Sequence, residues 1–359
     1  MKKRIIALIL ATALALTLVA CGSAAAPAAS TGTASSAAAS SVAASTGKDI
    51  KVGLVTDVGG VNDGSFNQSA WTGLQKAGTD LGIEVNYLES KTDADYAPNI
   101  QNFLDEDYDL IICVGYMLAD ATREAATANP DQKFAIIDDS SNSDLANVTC
   151  LMFRQEQASY LVGYVAGMMT KSNNVGFVIG MANETMNQFG YGYCAGVLDA
   201  NPSCKIQQFN ANSFADSATG KTLANTAITN GADIVYQAAG ATGLGVIEAC
   251  QEAGVYAIGV DSDQSSIAPK TIITSAMKRV DNAVYDCAKA MQDGTLEGGV
   301  KVYDLSMGGV DIAPTQDLLP ADVVTKVNEV KQDIISGKIT VPATKADFEA
   351  KYGDVYELD

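Results

Sequence analysis

The chain has 359 residues, of which 23 are basic and 42 are acidic, and it contains no histidine. A net charge of −19 argues against binding to nucleic acid or to anionic lipid surfaces, because both carry negative charge themselves. Without histidine, no catalytic pair of serine or cysteine with histidine exists in the chain. The length leaves room for two globular domains.

The first 48 residues have the composition of an export signal followed by a tether. Basic residues at 2–4 precede an apolar run, which predicts a signal peptide over residues 1–20. Cys21 follows Leu-Val-Ala in a pattern that resembles the bacterial lipobox, so we expect a lipid anchor on Cys21 that holds the protein outside the cytoplasm. An unprocessed membrane anchor is the alternative. Residues 21–48 are almost wholly small and predict a flexible linker.

Strands and helices alternate from residue 49 onward. Apolar, β-branched runs predict strands at 50–56, 83–88, 109–114, 133–138, 148–153, 174–179, 205–209, 233–236, 256–260, 271–275 and 301–305. Helical patterns lie between them, and a last helix is expected from Pro320 to about Ile335. The number of these strands is larger than one sheet of usual size holds. The pattern therefore predicts two doubly wound α/β lobes with a ligand cleft between them.

The lobes are expected to share the chain unevenly. We assign residues 49–150, with a returning segment at about 266–300, to the first lobe. The second lobe takes residues 151–265 and part of 301–359.

The first strand ends in a polar, glycine-rich loop. Asp57 follows the strand, and Asn62, Phe66 and Asn67 lie in the loop or at the start of the next helix. Ligands bind at the carboxyl ends of strands in open α/β sheets, so this loop is a candidate ligand site. An ordinary strand-to-helix turn is the alternative.

Several other motifs do not meet the requirements of the sites they suggest. Gly220-Lys-Thr lacks the earlier glycine and the preceding strand of a phosphate loop, and residues 261–272 lack the glycine and glutamate of a calcium loop. No CxxC pair occurs, so no metal site is expected. The six cysteines beyond Cys21 are expected to be buried thiols, although export permits a disulfide between Cys194 and Cys204.

Segments at 56–67, 237–243, 259–264 and 274–279 closely resemble the basic membrane protein family. These are lipoproteins similar to the purine nucleoside receptor of spirochaetes. The resemblance implies a type I periplasmic-binding-protein fold that captures nucleosides, most of all purine nucleosides, for the permease subunits of an ABC importer. It implies a monomer with no enzymatic activity and no cofactor.

The resemblance also implies roles in holding the base. Phe66 would stack on one face of a purine and Phe214 on the other, with Phe189 as the alternative to Phe214. Asp138 would bind the base edge, helped by Asp57, Asn62 and Asn67.

The remaining roles concern the ribose. Asp261 and Lys278 would hold its hydroxyls, and Gly240 would let the backbone approach closely. Two positions depart from the family pattern, since Asn62 stands where the family often has an acid and Gly64 where it often has a lysine. The same fold binding a sugar or a furanosyl signalling molecule remains an alternative, and a nucleoside hydrolase is a second one.

Overall fold

The structure is a computed structural model that describes residues 50–358. The predicted signal peptide, Cys21 and the linker lie outside the described residues. The strands within 50–358 are β1 Lys51–Val55, β2 Glu84–Leu88, β3 Leu110–Cys113, β4 Lys133–Ile137, β5 Val148–Phe153, β6 Asn174–Ile179, β7 Lys205–Asn210, β8 Ile234–Ala238, β9 Tyr256–Asp261, β10 Ile272–Lys278, β11 Gly299–Tyr303 and β12 Val310–Ile312. The α-helices are α1 Phe66–Leu81, α2 Tyr96–Asp105, α3 Ala119–Ala128, α4 Gln155–Met169, α5 Glu184–Ala200, α6 Ser217–Thr229, α7 Ala241–Ala253, α8 Val280–Gln292, α9 Ala321–Ile335 and α10 Lys345–Tyr352.

The strands form two six-stranded sheets of the same plan. The first has the order β2-β1-β3-β4-β5-β11, and the second has the order β7-β6-β8-β9-β10-β12. All pairings are parallel except that of β10 with β12. Parallel strands need helical crossovers on the faces of the sheet, so the central strands are buried and read as continuous apolar runs. In each sheet the strand order reverses beside its first strand, which places a ligand crevice there.

Each sheet and the helices packed on it make one lobe. The first lobe contains the first sheet with α1, α2, α3 and α8, and the second lobe contains the second sheet with the other helices. Among the described residues the chain crosses between lobes three times, at Arg154, at Arg279 and over residues 304–309.

The returning segment of the first lobe differs from our expectation. Strand β10 lies within residues 266–300, yet it pairs with β9 and β12 in the second sheet. Its apolar residues are buried on both faces in that position, so it completes the core of the second lobe. Only α8 and β11 return to the first lobe, and the expected boundary at residue 150 falls inside β5, a strand of the first sheet.

Helices α4 and α5 pack closely through glycines. A Cβ atom at Gly163 would overlap the carbonyl oxygen of Tyr193, and one at Gly196 would overlap that of Tyr160. The glycine spacing of α5, which is reminiscent of dinucleotide-binding sequences, is therefore a consequence of helix packing.

The six cysteines of the described part of the chain are buried free thiols, so the alternative disulfide between Cys194 and Cys204 is not formed. Burial raises the pKa of the Cys113 thiol to about 12. Within residues 50–358 we find no helix long and apolar enough to cross a membrane. The same residues contain no cluster of three or more potential metal ligands.

Candidate functional site

A cavity of about 520 Å³ lies between the two lobes, at the carboxyl ends of both sheets. It is lined by eight of the nine predicted ligand-binding residues: Asp57, Phe66, Asn67, Asp138, Phe214, Gly240, Asp261 and Lys278. The structure therefore brings together residues that are far apart in the sequence and belong to different lobes.

Asn62 is the exception among the predicted residues, because it is exposed and does not line the cavity. The fold buries its neighbour Asp63 instead. The Asp63 carboxylate accepts hydrogen bonds from the main-chain N–H groups of Ser65, Asn67 and Gln68, which caps the N-terminus of α1. We missed Asp63 at the sequence level, although an acid directly before a predicted helix is a capping signal.

Asp57 and Asn67 form a buried network at the end of β1. The Asp57 Oδ1 atom accepts hydrogen bonds from the main-chain N–H of Gly59 at 2.8 Å and from Asn67 Nδ2 at 2.7 Å. Asn67 Nδ2 also donates to Asp63 at 3.2 Å, which fixes the orientation of the amide. Burial raises the pKa of Asp57 to about 6 and raises the pKa of Asp63, although the hydrogen bonds to both carboxylates oppose the shift.

Asp138 and Lys278 join the two lobes across the cavity. Asp138 follows β4 of the first sheet, Lys278 ends β10 of the second, and the two form a buried ion pair. The ammonium group also lies 4.9 Å from the centre of the Phe66 ring and 5.6 Å from that of Phe189. Lys278 is only 2% exposed, so a carboxylate and aromatic faces take the place of water around its side chain.

Asp261 occupies the position in the second sheet that Asp138 has in the first. Asp138 directly follows β4, the third strand from the β11 edge of the first sheet, and Asp261 ends β9, the third strand from the β12 edge of the second sheet. Both residues have a left-handed backbone, with φ of 65° at Asp138 and 63° at Asp261. Such a conformation is uncommon for a residue other than glycine. The Asp261 carboxylate accepts a hydrogen bond from the Ser65 hydroxyl of the first lobe. Burial raises its pKa to about 6, although the nearby Lys278 charge opposes the shift.

Phe214 and Phe189 both line the cavity. Both therefore remain candidates for the second stacking ring. Phe214 is half-buried beside Gly240, and its ring centre is 6.4 Å from that of Tyr116. Phe189 is buried in α5.

Three side-chain oxygens buried at the cavity have no partner within the described part of the protein. They are Oδ1 of Asn67, Oδ1 of Asp138 and the hydroxyl oxygen of Tyr116. An unpaired buried acceptor costs free energy, so each favours a ligand that donates a hydrogen bond.

The sequence reasoning also missed lining residues without charge. Gly115 follows β3 at the crevice beside β1, a position that the strand order could have indicated. Tyr116 and Met186 carry no comparable signal, because a tyrosine after a strand or a methionine in a helix is usually part of a core.

The family model described as ABC transporter substrate-binding protein PnrA-like, named Bmp, matches residues 50–345 of the chain. The chain belongs to this family. The predicted resemblance to the basic membrane protein family is therefore confirmed.

Known relatives agree with this assignment. The chain is 40% identical to the CD4+ T-cell-stimulating antigen of Listeria monocytogenes, over 95% of this chain and 99% of that protein. It is 37% identical to the ABC transporter nucleoside-binding protein BmpA of Lactococcus lactis, over 82% of this chain and 90% of that protein.

The fold agrees with solved structures as well. An ABC transporter solute-binding protein from Aeropyrum pernix superposes with a TM-score of 0.77 at 28% identity, covering 85% of this chain and 98% of that one. This likeness and the two six-stranded sheets confirm the predicted type I periplasmic-binding-protein fold.

Proposed function

We propose that this ABC transporter substrate-binding protein captures nucleosides, and most readily purine nucleosides, in the cavity between its lobes. The observation that carries the proposal is the chemistry of the lining. Aromatic rings stand beside buried carboxylates and an unpaired amide oxygen, which suits a flat ligand rich in hydrogen-bond donors. The relative from Lactococcus lactis, which is named a nucleoside-binding protein, supports the same ligand class.

The balance of charge favours an uncharged ligand. Among residues 50–358, one ammonium group lines the cavity, that of Lys278, together with the four carboxylates of Asp57, Asp63, Asp138 and Asp261. A phosphate group would meet repulsion from these carboxylates in a site with little water to screen it. We therefore expect nucleosides to bind and nucleoside 5′-monophosphates to be rejected.

We propose the following roles in holding a base. Phe66 stacks on one face of the base, and Phe214 stacks on the other, with Phe189 as the alternative. Asp138 receives hydrogen bonds from the base edge through its unpaired oxygen, helped by Asp57 and Asn67. Stacking adds about 1–3 kcal/mol per base, which makes the rings a principal source of affinity.

The remaining residues suit a ribose. Asp261 and Lys278 bind its hydroxyls as acceptor and donor, and the left-handed backbone of Gly240, with φ of 55°, allows close approach. Lys278 pairs with Asp138 in this structure, so a ribose would share the ammonium group with that carboxylate.

The partners follow from the family. The loaded protein delivers its ligand to ABC permease subunits, as a monomer tethered to the outer face of the cell membrane through a lipid on Cys21.

A thermal-shift screen over nucleosides, free bases, sugars and nucleoside 5′-monophosphates tests the ligand class. A ligand at 100 times its dissociation constant adds about 2.7 kcal/mol to the free energy of unfolding, which gives a clear shift. We expect purine nucleosides to give the largest shifts. A larger shift with ribose or a furanosyl signal would favour a sugar or signalling ligand instead. If the protein released free base from inosine, as detected by chromatography, it would be a nucleoside hydrolase.

A further inference from the structure

The turn before helix α1 contacts the second lobe at a place outside the cavity. The carbonyl oxygen of Gly64 accepts a hydrogen bond of 2.9 Å from the side-chain amide of Gln264. Gly64 also packs on Leu244 and Ile267, since a Cβ atom at Gly64 would lie 3.2 Å and 4.0 Å from their side chains. We name Gly64, Leu244, Gln264 and Ile267 the rim contact. None of the four lines the cavity.

Gln264 is held in place by its own lobe. Its side-chain oxygen accepts hydrogen bonds from the main-chain N–H of Val260 at 3.0 Å and from the side-chain amide of Gln237 at 2.9 Å. Its main-chain N–H donates to the Ser275 hydroxyl at 3.2 Å, and the residue is 1% exposed. The amide that reaches Gly64 is therefore already oriented by the second lobe.

The rim contact lies between the cavity and open solvent. Gly64, Gln264 and Ile267 line a groove of about 750 Å³, and Asp261 lines both this groove and the cavity. The hydrogen bond from Ser65 to Asp261 is next to the rim contact and likewise joins the two lobes. Together they form a wall between the ligand cavity and the groove.

We propose that the rim contact sets how long the closed lobes retain a ligand, with Gln264 as the positioning residue. Gly64 moves with the first lobe and the other three residues with the second, so opening the cleft breaks the contact. A contact that exists only between closed lobes raises the apparent affinity for every ligand that needs closure. Its effect on affinity is therefore independent of which base the ligand carries. Only the choice of nucleosides as probes rests on the proposed function.

The variant Gln264→Glu at pH 8 tests this. Glutamate keeps an acceptor oxygen for Val260 and Gln237, but it places a carboxylate oxygen against the Gly64 carbonyl where the amide donated. We expect dissociation of inosine, guanosine and adenosine to become about three- to tenfold faster, by the same factor for all three. Stopped-flow measurement of association and dissociation rates gives both constants.

The matched control is Gln207→Glu. The Gln207 side-chain amide donates to the Ala227 carbonyl at 3.0 Å, and Gln207 is also buried, but this bond lies wholly inside the second lobe. We expect the control to lower the thermal unfolding temperature and to leave the dissociation rates unchanged. Leu244→Ala removes the nearer of the two apolar side chains that pack on Gly64 and is the second test variant, should Gln264→Glu fail to fold.

Small-angle scattering of the ligand-free protein provides a readout that needs no nucleoside. We expect a larger radius of gyration for Gln264→Glu and Leu244→Ala than for the wild type. Unchanged dissociation rates and radii in both variants, or a control that changes them equally, would overturn the proposal. If the wild type binds no nucleoside, the proposed function fails, and the radius alone decides the role of the rim contact.

Discussion

The buried carboxylate of Asp57 should destabilise the folded protein at neutral and alkaline pH. Its pKa rises from 3.8 to about 6 on folding, so the folded state binds more protons than the unfolded state between these values. Stability from this group is present below pH 3.8 and is lost as the pH rises through 6. The shift corresponds to about 3 kcal/mol above pH 6.

The variant Asp57→Asn tests this magnitude. Its side-chain oxygen still accepts hydrogen bonds from Gly59 and Asn67, while the charge is absent. We expect the free energy of unfolding in urea to exceed that of the wild type by up to about 3 kcal/mol at pH 8 and to match it near pH 4. Nucleoside affinity should fall in the same variant, because the site loses a strong acceptor.

The control is Asp216→Asn. Asp216 caps α6, and its hydrogen bonds from Thr219 lower its pKa, so we expect no gain in stability from this substitution at pH 8. An equal gain for Asp57→Asn at both pH values, or no gain at pH 8, would show that burial does not raise the pKa of Asp57 in the folded protein.

Four further substitutions test the proposed roles by calorimetry. Phe66→Ala should lose about 1–3 kcal/mol of nucleoside affinity with an unchanged circular dichroism spectrum, and unchanged affinity would remove its stacking role. Asp261→Ala should lower the affinity for nucleosides more than the affinity for free bases. Equal losses of affinity for both would show that Asp261 does not bind the ribose. Phe214→Ala should lose more affinity than Phe189→Ala, whereas the reverse order would make Phe189 the second stacking ring.

The sequence predicted most of the fold because local patterns determine it. Buried parallel strands read as apolar runs, and the expected helix from Pro320 to Ile335 corresponds to α9. The placement of β10 was wrong because its position depends on pairing with β9 and β12, which the pattern within β10 does not encode.

The lining of the cavity was predictable where a carboxylate lies at the end of a strand, as at Asp57, Asp138 and Asp261. The sequence did not indicate that Asp63 lines the cavity and Asn62 does not. The difference depends on which of the two side chains turns inward to cap α1. The ion pair of Lys278 with Asp138 joins residues 140 positions apart, and its formation depends on how the two lobes meet. Contacts of this kind follow from the tertiary structure and have no local signal.

Calorimetric titration of inosine and of inosine 5′-monophosphate into the protein tests whether the cavity binds an uncharged nucleoside and rejects a phosphate. We expect one inosine to bind per chain and no detectable binding of the monophosphate, because four carboxylates line the cavity. Equal or tighter binding of the monophosphate, or no binding of inosine beside clear binding of free ribose, would contradict this expectation.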